Sequence, residues 1–304
     1  DLAGKPFHHD ESLYSVYCWR FFKGEGYKYD PMMHGPFLFH FQVLLFFLFG
    51  VSDFSARIAP ALFGSLMVVS IYYLRDYLGK IGVLTVALLF TVSPTQLYFS
   101  RFMREDIFVA FFIYASAIFG ILYYRWRQKK YLYLTAASLA LMFCEKENSY
   151  IHAFIFLTFL VLKDFYQTYL SKTATTMNAE SIIGWVAACW ILLSVIGLMA
   201  FYTTHPLPVW LSGINKETGV VYIIALLQVF LGVWVLRYFK NHLHAQLRAD
   251  QADHTYPLIF AAGIFLWIYI LLYTTFFTNP GGILDGLSKS WIYWWGQNKM
   301  QRIK

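Results

Sequence analysis

Three short charged segments carry the residues of this chain that are able to do chemistry. They are His8-His9-Asp10-Glu11, Arg101-Phe102-Met103-Arg104-Glu105-Asp106 and Glu145-Lys146-Glu147-Asn148, called here the first, second and third charged segments. Only 13% of all residues are Asp, Glu, Lys or Arg, and these segments stand at the ends of apolar runs. A charge beside hydrocarbon is costly, so charges kept at such positions are candidates for function.

The first segment offers carboxylates for proton transfer. A general base needs a carboxylate held against an acceptor hydroxyl, which Asp10 or Glu11 can supply. The two histidines and two acids also suit a divalent cation, although adjacent side chains rarely all point at one ion. A solvated loop without chemistry is the third alternative, and the segment taken alone favours it.

The second and third segments hold cations that suit a phosphate group. Arginine forms bidentate hydrogen bonds with phosphate and stays charged, which makes Arg101 and Arg104 candidates. Lys146 is another candidate, with a neighbouring carboxylate to tune it. The structural alternatives are carboxylates placed at a helix start, where the macrodipole favours them, and an outer hairpin whose charges pair with one another.

Long apolar runs must position these segments. The chain is 59% hydrophobic and 21% aromatic, whereas ordinary soluble domains are roughly 45–50% apolar. Its runs approach the ~20 residues that cross a hydrocarbon core of ~30 Å. The sequence therefore predicts an all-α, polytopic transmembrane helical bundle. We expect about eight crossings, two of them short, at residues 54–74, 81–99, 107–124, 131–143, 150–162, 182–202, 220–236 and 256–277.

The basic residues predict the orientation of the bundle. Cytoplasmic loops carry an excess of Lys and Arg, and basic residues occupy alternate loops at 75–80, 125–130, 163–172 and 237–248. This pattern accounts for the net charge of +7 without a nucleic-acid partner, and it places the second and third segments outside. Residues 36–50 are short for a crossing and polar at both ends. We interpret them as an interfacial helix on the external face, which brings the first segment to the same face.

Three parts follow from this pattern. Residues 1–53 form an external loop with the acidic motif and the interfacial helix, and residues 54–277 form the bundle. Residues 278–304 form an external amphipathic segment rich in Trp. Because the chain begins without Met and stops in a basic stretch, we expect it to be a truncated piece of a longer protein.

In their order, these motifs resemble the GT-C glycosyltransferases, which use lipid-linked donors and include the protein O-mannosyltransferases and the aminoarabinose transferase of lipid A. Asp10-Glu11 is similar to the Asp-Glu motif of their first external loop, and residues 101–106 match their Arg-x-x-x-x-Asp pattern. Residues 34–36 resemble a His-Pro-Pro segment, and Lys146 stands where these enzymes carry a Lys. A prokaryotic mannosyltransferase-like, flippase-activity-associated family is more similar still, with counterparts here at residues 8–11, 29–36, 100–106 and 276–280.

The resemblance implies a membrane glycosyltransferase that moves a sugar from a polyprenyl-phosphate donor to an acceptor hydroxyl. The acceptor would be a protein or a glycolipid at the outer face of a prokaryotic cytoplasmic membrane. Asp10 is then the catalytic base with Glu11 as its partner, and Asp106 orients the acceptor or a metal. The predicted phosphate-binding residues are Arg101, Arg104 and Lys146, of which Arg104 is our own inference. The predicted supporting residues are His9, His34, Glu105, Glu145 and Glu147, of which Glu105 is also our own inference.

Several alternatives stay open at this stage. A divalent metal ion held by Asp10 and Asp106 is one, and no other cofactor is indicated. A non-catalytic GT-C-like subunit of a larger membrane complex is the alternative function. An external cleft filled by another subunit, or a pigment bound at His40 or His152, would favour it. Lone histidines in apolar surroundings are more often hydrogen-bonded structural groups, which is the interpretation that we favour for both.

Overall fold

The structure is a computed structural model that describes residues 2, 4, 6–165 and 255–297. These residues form helices joined by turns, and none of them lies in a β-strand. The chain divides into two compact units, one made of Asp1–Ala153 with Asp253–Lys304 and the other of Phe154–Ala252. All three charged segments belong to the first unit.

Two helices precede the long apolar runs. Helix α1 (His9–Arg20) begins in a capping box, in which the His8 side chain accepts the Asp10 amide and the Glu11 side chain accepts the His8 amide. A π-helical turn (Phe21–Glu25) and a 3₁₀ turn (Pro31–Met33) follow. Helix α2 (Phe37–Phe49) occupies the run that the sequence assigns to an interfacial helix. Its depth in a membrane stays a prediction.

The next helices reverse the chain at a glycine. Helix α3 (Asp53–Ser70) continues through a 3₁₀ turn (Ile71–Leu74) into α4 (Arg75–Val92), so the loop predicted at residues 75–80 is largely helical. Gly79 has φ 68° and ψ 174°, which is not helical. Gln96 then donates to the carbonyl of Gly64, a residue it would miss by ~48 Å if the helix ran straight. The chain therefore doubles back, as two successive crossings require.

The second apolar run ends earlier than expected. Residues 81–99 are interrupted at Ser93, whose backbone is extended because a proline follows it. Pro94 begins a separate short helix, α5 (Pro94–Phe99), which the Ser93 side chain caps. This short helix delivers the second charged segment to the start of the following helix.

The remaining described helices follow the predicted runs closely. They are α6 (Asp106–Trp126), α7 (Lys129–Phe143), α8 (Ser149–Phe165), α9 (Thr255–Tyr273) and α10 (Gly282–Gln297). Among the described residues, two helical stretches have the length and composition to cross a membrane, Asp53–Val92 with 40 residues and Asp106–Trp126 with 21. Phe37–Phe49 and Pro257–Tyr273 are shorter apolar helices. The runs predicted at 182–202 and 220–236 lie outside the described residues.

An aromatic cluster joins α2, α3 and α6 beneath the charged segments. The Phe63 ring lies 4.9 Å from that of Phe108, and the Phe37 ring lies 5.0 Å from that of Phe112, both edge to face. Phe37 also contacts Phe63 at 5.8 Å, so one residue from α2 touches both other helices. Edge-to-face contacts of this kind stabilise beyond the area they bury. They fix the starts of α2 and α6 at the same end of the unit.

Candidate active site

Glu11 ties α1 to α3 and to the second charged segment. Its two carboxylate oxygens each accept from Arg57 at 2.9 Å, and they also accept the backbone amides of Met103 and His8 at 3.1 Å. Burial raises the pKa of the Glu11 carboxyl, but the hydrogen bonds from Arg57 and the two amides outweigh it and lower the pKa overall. With these four donors, Glu11 holds the start of α1 against α3 and the second charged segment.

Sequence reasoning missed Arg57. It lies one turn inside α3, in the run predicted as the first crossing, and its side chain is 5% exposed. It also donates to the carbonyls of Leu2 and Pro6, which holds the N-terminal segment against the helix. A lone cation inside an apolar run is itself a signal of function, and that signal was present in the sequence.

Arg104 bridges three carboxylates. Its nitrogens lie 3.1 Å from Asp10 Oδ2, 3.3 Å from Glu105 Oε1 and 3.3 Å from Asp106 Oδ2. Burial lowers the pKa of the Arg104 guanidinium, but the two neighbouring carboxylates raise it overall, so the group stays charged. The first and second charged segments thus meet through this side chain.

Lys146 brings in the third segment. Its Nζ lies 2.7 Å from Asp106 Oδ1 and 2.9 Å from Glu105 Oε1. Asp106, the first residue of α6, therefore has one oxygen beside Lys146 and the other beside Arg104. Asp10 differs, because only its Oδ2 contacts a described donor and its side chain is 39% exposed. One oxygen of Asp10 remains open to an incoming group.

Glu105 is the buried centre of this network. Its side chain is 2% exposed, and its Oε1 lies near three cationic or ionisable groups, Lys146, Arg104 and the His34 ring. Burial raises the pKa of the Glu105 carboxyl, but Lys146 and then His34 outweigh it and lower the pKa to about 2. The carboxyl is therefore ionised throughout the physiological range and holds the cations in place.

His34 links the second and third segments. Its Nε2 lies 3.3 Å from Glu105 Oε1 and its Nδ1 lies 2.6 Å from Glu147 Oε2. Its backbone has φ 60° and ψ −151°, a region that almost only glycine adopts, at a cost of roughly 1–3 kcal/mol. Strain of this kind persists where the surroundings over-determine it, and it clusters at functional sites.

The residue after His34 explains how the strained turn is held. The Gly35 amide donates to the carbonyl of Glu145 at 2.8 Å, and the Phe37 amide donates to that of Cys144 at 2.9 Å. A Cβ at position 35 would overlap the Cys144 carbonyl oxygen, so the two backbones approach each other as only glycine permits. This contact places His34 against the third charged segment.

Two further residues complete the polar cluster, Tyr29 from the motif at residues 29–36 and Ser290, which the sequence did not indicate. The Tyr29 hydroxyl contacts both Glu147 and the Ser290 hydroxyl, which lies on α10. Residues 274–281 join α9 to α10 and include the motif at residues 276–280, and Thr275, Phe276 and Phe277 have positive φ. The last of the resembling motifs thus has a structural role, because it directs α10 towards Glu147.

Glu145, predicted as a supporting residue, lies apart from the ion network. Its side chain is fully buried, and neither carboxylate oxygen forms an ion pair with another described residue. Burial and then the nearby Glu105 charge raise the pKa of the Glu145 carboxyl well above its ordinary value. The raised pKa favours the protonated form of this buried carboxyl.

The remaining predicted residues lie at the surface or make local contacts. His9 and Arg101 are exposed, and neither side chain forms an ion pair with another described residue. The His40 and His152 rings each contact the carbonyl four residues earlier, at 2.8 and 2.9 Å. These local hydrogen bonds agree with the structural role that the sequence favours for both histidines.

A comparison with protein families matches residues 33–190, just over half of the chain, to the family described as dolichyl-phosphate-mannose-protein mannosyltransferase. The chain belongs to this family. The mannosyltransferase match includes Arg104, Asp106 and Lys146, whereas Asp10 precedes it. No curated protein and no solved structure matches the chain. Membership confirms the predicted resemblance to membrane glycosyltransferases of this kind, while the prokaryotic subfamily stays a prediction.

In this member of the mannosyltransferase family, the arrangement of Asp10 and Asp106 does not fit the divalent ion that the sequence suggested for them. The described residues contain no group of three or more His, Cys, Asp or Glu side chains that would hold a metal. One guanidinium, that of Arg104, bridges the two carboxylates, and a shared cation would need that same position.

Proposed function

We propose that the chain transfers a sugar from a polyprenyl-phosphate donor to an acceptor hydroxyl at the outer face of a membrane. The observation that carries the proposal is the meeting of Asp10 and Lys146, from distant parts of the chain, in one partly exposed network. The same proposal places the bundle in the GT-C class, with α2 along the external interface. A prokaryotic cytoplasmic membrane and the flippase-activity-associated family belong to the proposal as well.

Asp10 is proposed as the general base. Its Oδ2 is anchored by Arg104, while its Oδ1 is open, so the carboxylate is oriented and still able to accept a proton. The acceptor hydroxyl gives its proton to Asp10, and its oxygen forms a bond to C1 of the sugar. The bond between C1 and the phosphate oxygen breaks, and its electron pair leaves with the polyprenyl phosphate. Groups placed for such proton transfer contribute roughly 10²–10⁴-fold to rate.

Arg104 and Lys146 are proposed to hold the departing phosphate. A guanidinium has five N–H donors and an ammonium has three, and the carboxylate contacts use at most three and two of them. Donors therefore remain for phosphate oxygens as their negative charge grows. Arg101 lies outside this network, so its phosphate contact stays a prediction without a structural partner.

The decisive experiment compares Asp10→Asn with wild type in transfer of radiolabelled mannose from a synthetic polyprenyl-phosphate-mannose. We expect the variant to lose at least ~100-fold in turnover while its thermal unfolding midpoint stays close to that of wild type. Asp285→Asn is the matched control, because Asp285 pairs with Lys289 on α10 outside the network. Unchanged turnover in Asp10→Asn would exclude this residue as the base.

A non-catalytic membrane subunit is the second candidate. It is favoured by one observation, that Arg104 and Lys146 are already paired with carboxylates and need no substrate to be stable. Addition of a polyprenyl phosphate to the purified chain separates the two functions. If the lipid neither raises the unfolding temperature nor supports transfer, the scaffold function replaces the catalytic one.

A further inference from the structure

A second charged region lies at the far ends of the helices that start in the network. Residues 71–80 comprise the 3₁₀ turn after α3 and the start of α4, and residues 125–130 comprise the end of α6 and the start of α7. Together they hold six cations and one acid, namely Arg75, Lys80, Arg125, Arg127, Lys129, Lys130 and Asp76. Helix α6 starts at Asp106 and has 21 residues, so this region lies ~30 Å from the network along that helix.

The two connections converge on one cavity. It has a volume of about 290 Å³, and Arg75, Asp76, Gln128 and Lys130 line it together with four apolar or aromatic side chains. A basic loop that only sets membrane orientation needs no cavity, because the positive-inside rule depends on charge alone. The convergence of Arg75 and Lys130 on one half-open cavity therefore indicates a binding site for an anion.

The basic side chains around the cavity are stacked in a way that leaves their donors available. The Arg75 guanidinium lies 4.3 Å from the centre of the Tyr72 ring, and the Lys130 ammonium lies 4.8 Å from that of Tyr131. Such stacking uses the flat face of a guanidinium and leaves its N–H edges in the plane for oxygen acceptors.

Asp76 does not occupy those edges. Its carboxylate lies 3.8 Å from Arg75 and 3.9 Å from Arg125, beyond hydrogen-bond distance in both cases. The Arg75 and Arg125 guanidinium groups make no side-chain hydrogen bond to another described residue. The Gln128 side chain, which lines the cavity, does not cap α7, so the first amides of that helix add positive potential.

We infer that this cavity binds the phosphate headgroup of an anionic membrane lipid. A phosphate offers oxygen acceptors to Arg75 and Lys130, whose side chains donate no hydrogen bond to another described residue. The aromatic walls suit the level of lipid headgroups, where Tyr and Trp are enriched. Basic pockets between membrane-embedded helices take such headgroups. The inference uses none of the residues assigned to sugar transfer, so it stands or fails separately from that function.

The test measures thermal unfolding of the full chain in a neutral detergent during titration with phosphatidylglycerol, phosphatidylcholine or inorganic phosphate. Phosphatidylglycerol is expected to raise the unfolding temperature and phosphatidylcholine to leave it nearly unchanged. In the double variant Arg75→Gln and Lys130→Gln, the phosphatidylglycerol concentration for half of the effect should rise roughly 30-fold, since each basic residue near a membrane surface contributes ~1 kcal/mol.

The control is the double variant Lys23→Gln and Lys28→Gln, which removes two exposed charges away from the cavity and should respond as wild type does. An equal response in the Arg75 and Lys130 double variant, or an equal response to both lipids, would overturn the inference. Inorganic phosphate that alone reproduces the whole stabilisation and abolishes the effect of phosphatidylglycerol would overturn the lipid as the source of the phosphate. Transfer activity of the cavity variant provides a separate readout of folding.

Discussion

The two charged ends of the described unit use the same side-chain types in opposite ways. In the network around Glu105, ion pairs are 2.6–3.3 Å long and most partners are largely buried. At the basic end, Asp76 lies 3.8–3.9 Å from its two arginines, and all three side chains are at least a third exposed. Short desolvated pairs fix geometry, whereas long hydrated pairs leave charge available. The first arrangement suits chemistry on a positioned substrate, and the second suits an exchangeable anion.

The largest effect is expected when one arginine is removed from the ion-pair network and, separately, one from the basic region. Arg57→Ala leaves the buried Glu11 carboxylate without its cation, and breaking a buried pair in this way costs ~3–5 kcal/mol. Arg75→Ala breaks a pair that is 51% and 38% exposed, which is worth at most ~1 kcal/mol. Denaturant unfolding of both variants in one detergent measures the difference. Equal losses of stability would remove the distinction between the two ends.

A second test uses acid. The pKa of the Glu105 carboxyl is about 2 in the folded protein and 4.5 ordinarily, so its stabilising contacts are fully present above pH ~4.5 and lost as pH falls towards 2. The difference in unfolding free energy between wild type and Glu105→Gln should therefore be constant from pH 5 to 7. It should shrink between pH 4.5 and 2. If the difference in unfolding free energy at pH 2.5 were as large as at pH 7, the assigned ionisation of Glu105 would be wrong.

Glu145 should give a smaller pH dependence of stability, opposite in sign to that of Glu105. Because burial raises the pKa of this carboxyl, the stability it contributes is present below pH ~4.5 and is lost as pH rises towards the raised value. Glutamine has nearly the same shape as glutamate but does not ionise. The Glu145→Gln variant should therefore gain stability relative to wild type between pH 5 and 8. Unfolding temperatures of both proteins across that range test it. A parallel pH dependence of the two proteins would show that Glu145 is ionised when folded.

The smallest effect is expected at Asp76. Asp76→Asn should change the unfolding free energy by less than ~1 kcal/mol, because its ion pairs are long and exposed. It should still strengthen the phosphatidylglycerol response several-fold, since the Asp76 carboxylate lines the cavity and repels a phosphate bound there. Lipid titrations of this variant beside Asp285→Asn measure the effect. A weaker lipid response in Asp76→Asn would argue against a phosphate in the cavity.

The sequence indicated much of the candidate site because charge is scarce in it. Asp10, Arg104 and Lys146 stand at the ends of apolar runs, where position alone marks them. Arg57 is also a rare charge, but it lies inside an apolar run. Its pairing with Glu11 cannot be predicted without the fold. Glu105 and Glu145 are the same residue type in similar segments, and only the packing around them decides which is ionised.

Helix boundaries show the same limit of local information. The run at 81–99 looks continuous in hydropathy, but Pro94 stops it because the preceding residue must be extended. The reversal at Gly79 uses one residue of positive φ, where the sequence suggested a longer loop. Tyr29 and Ser290 meet only through the tertiary fold, and no spacing in the chain connects them.

Gly35 determines how closely the turn before α2 can approach the third charged segment. Any larger residue there would separate the turn before α2 from the Cys144 carbonyl, and would move His34 away from Glu105. The glycine of the His-Gly-Pro motif thus allows the two main chains to be in direct contact. In searches for remote homologues, a match at this position carries information about backbone proximity that matches at the acidic positions do not supply.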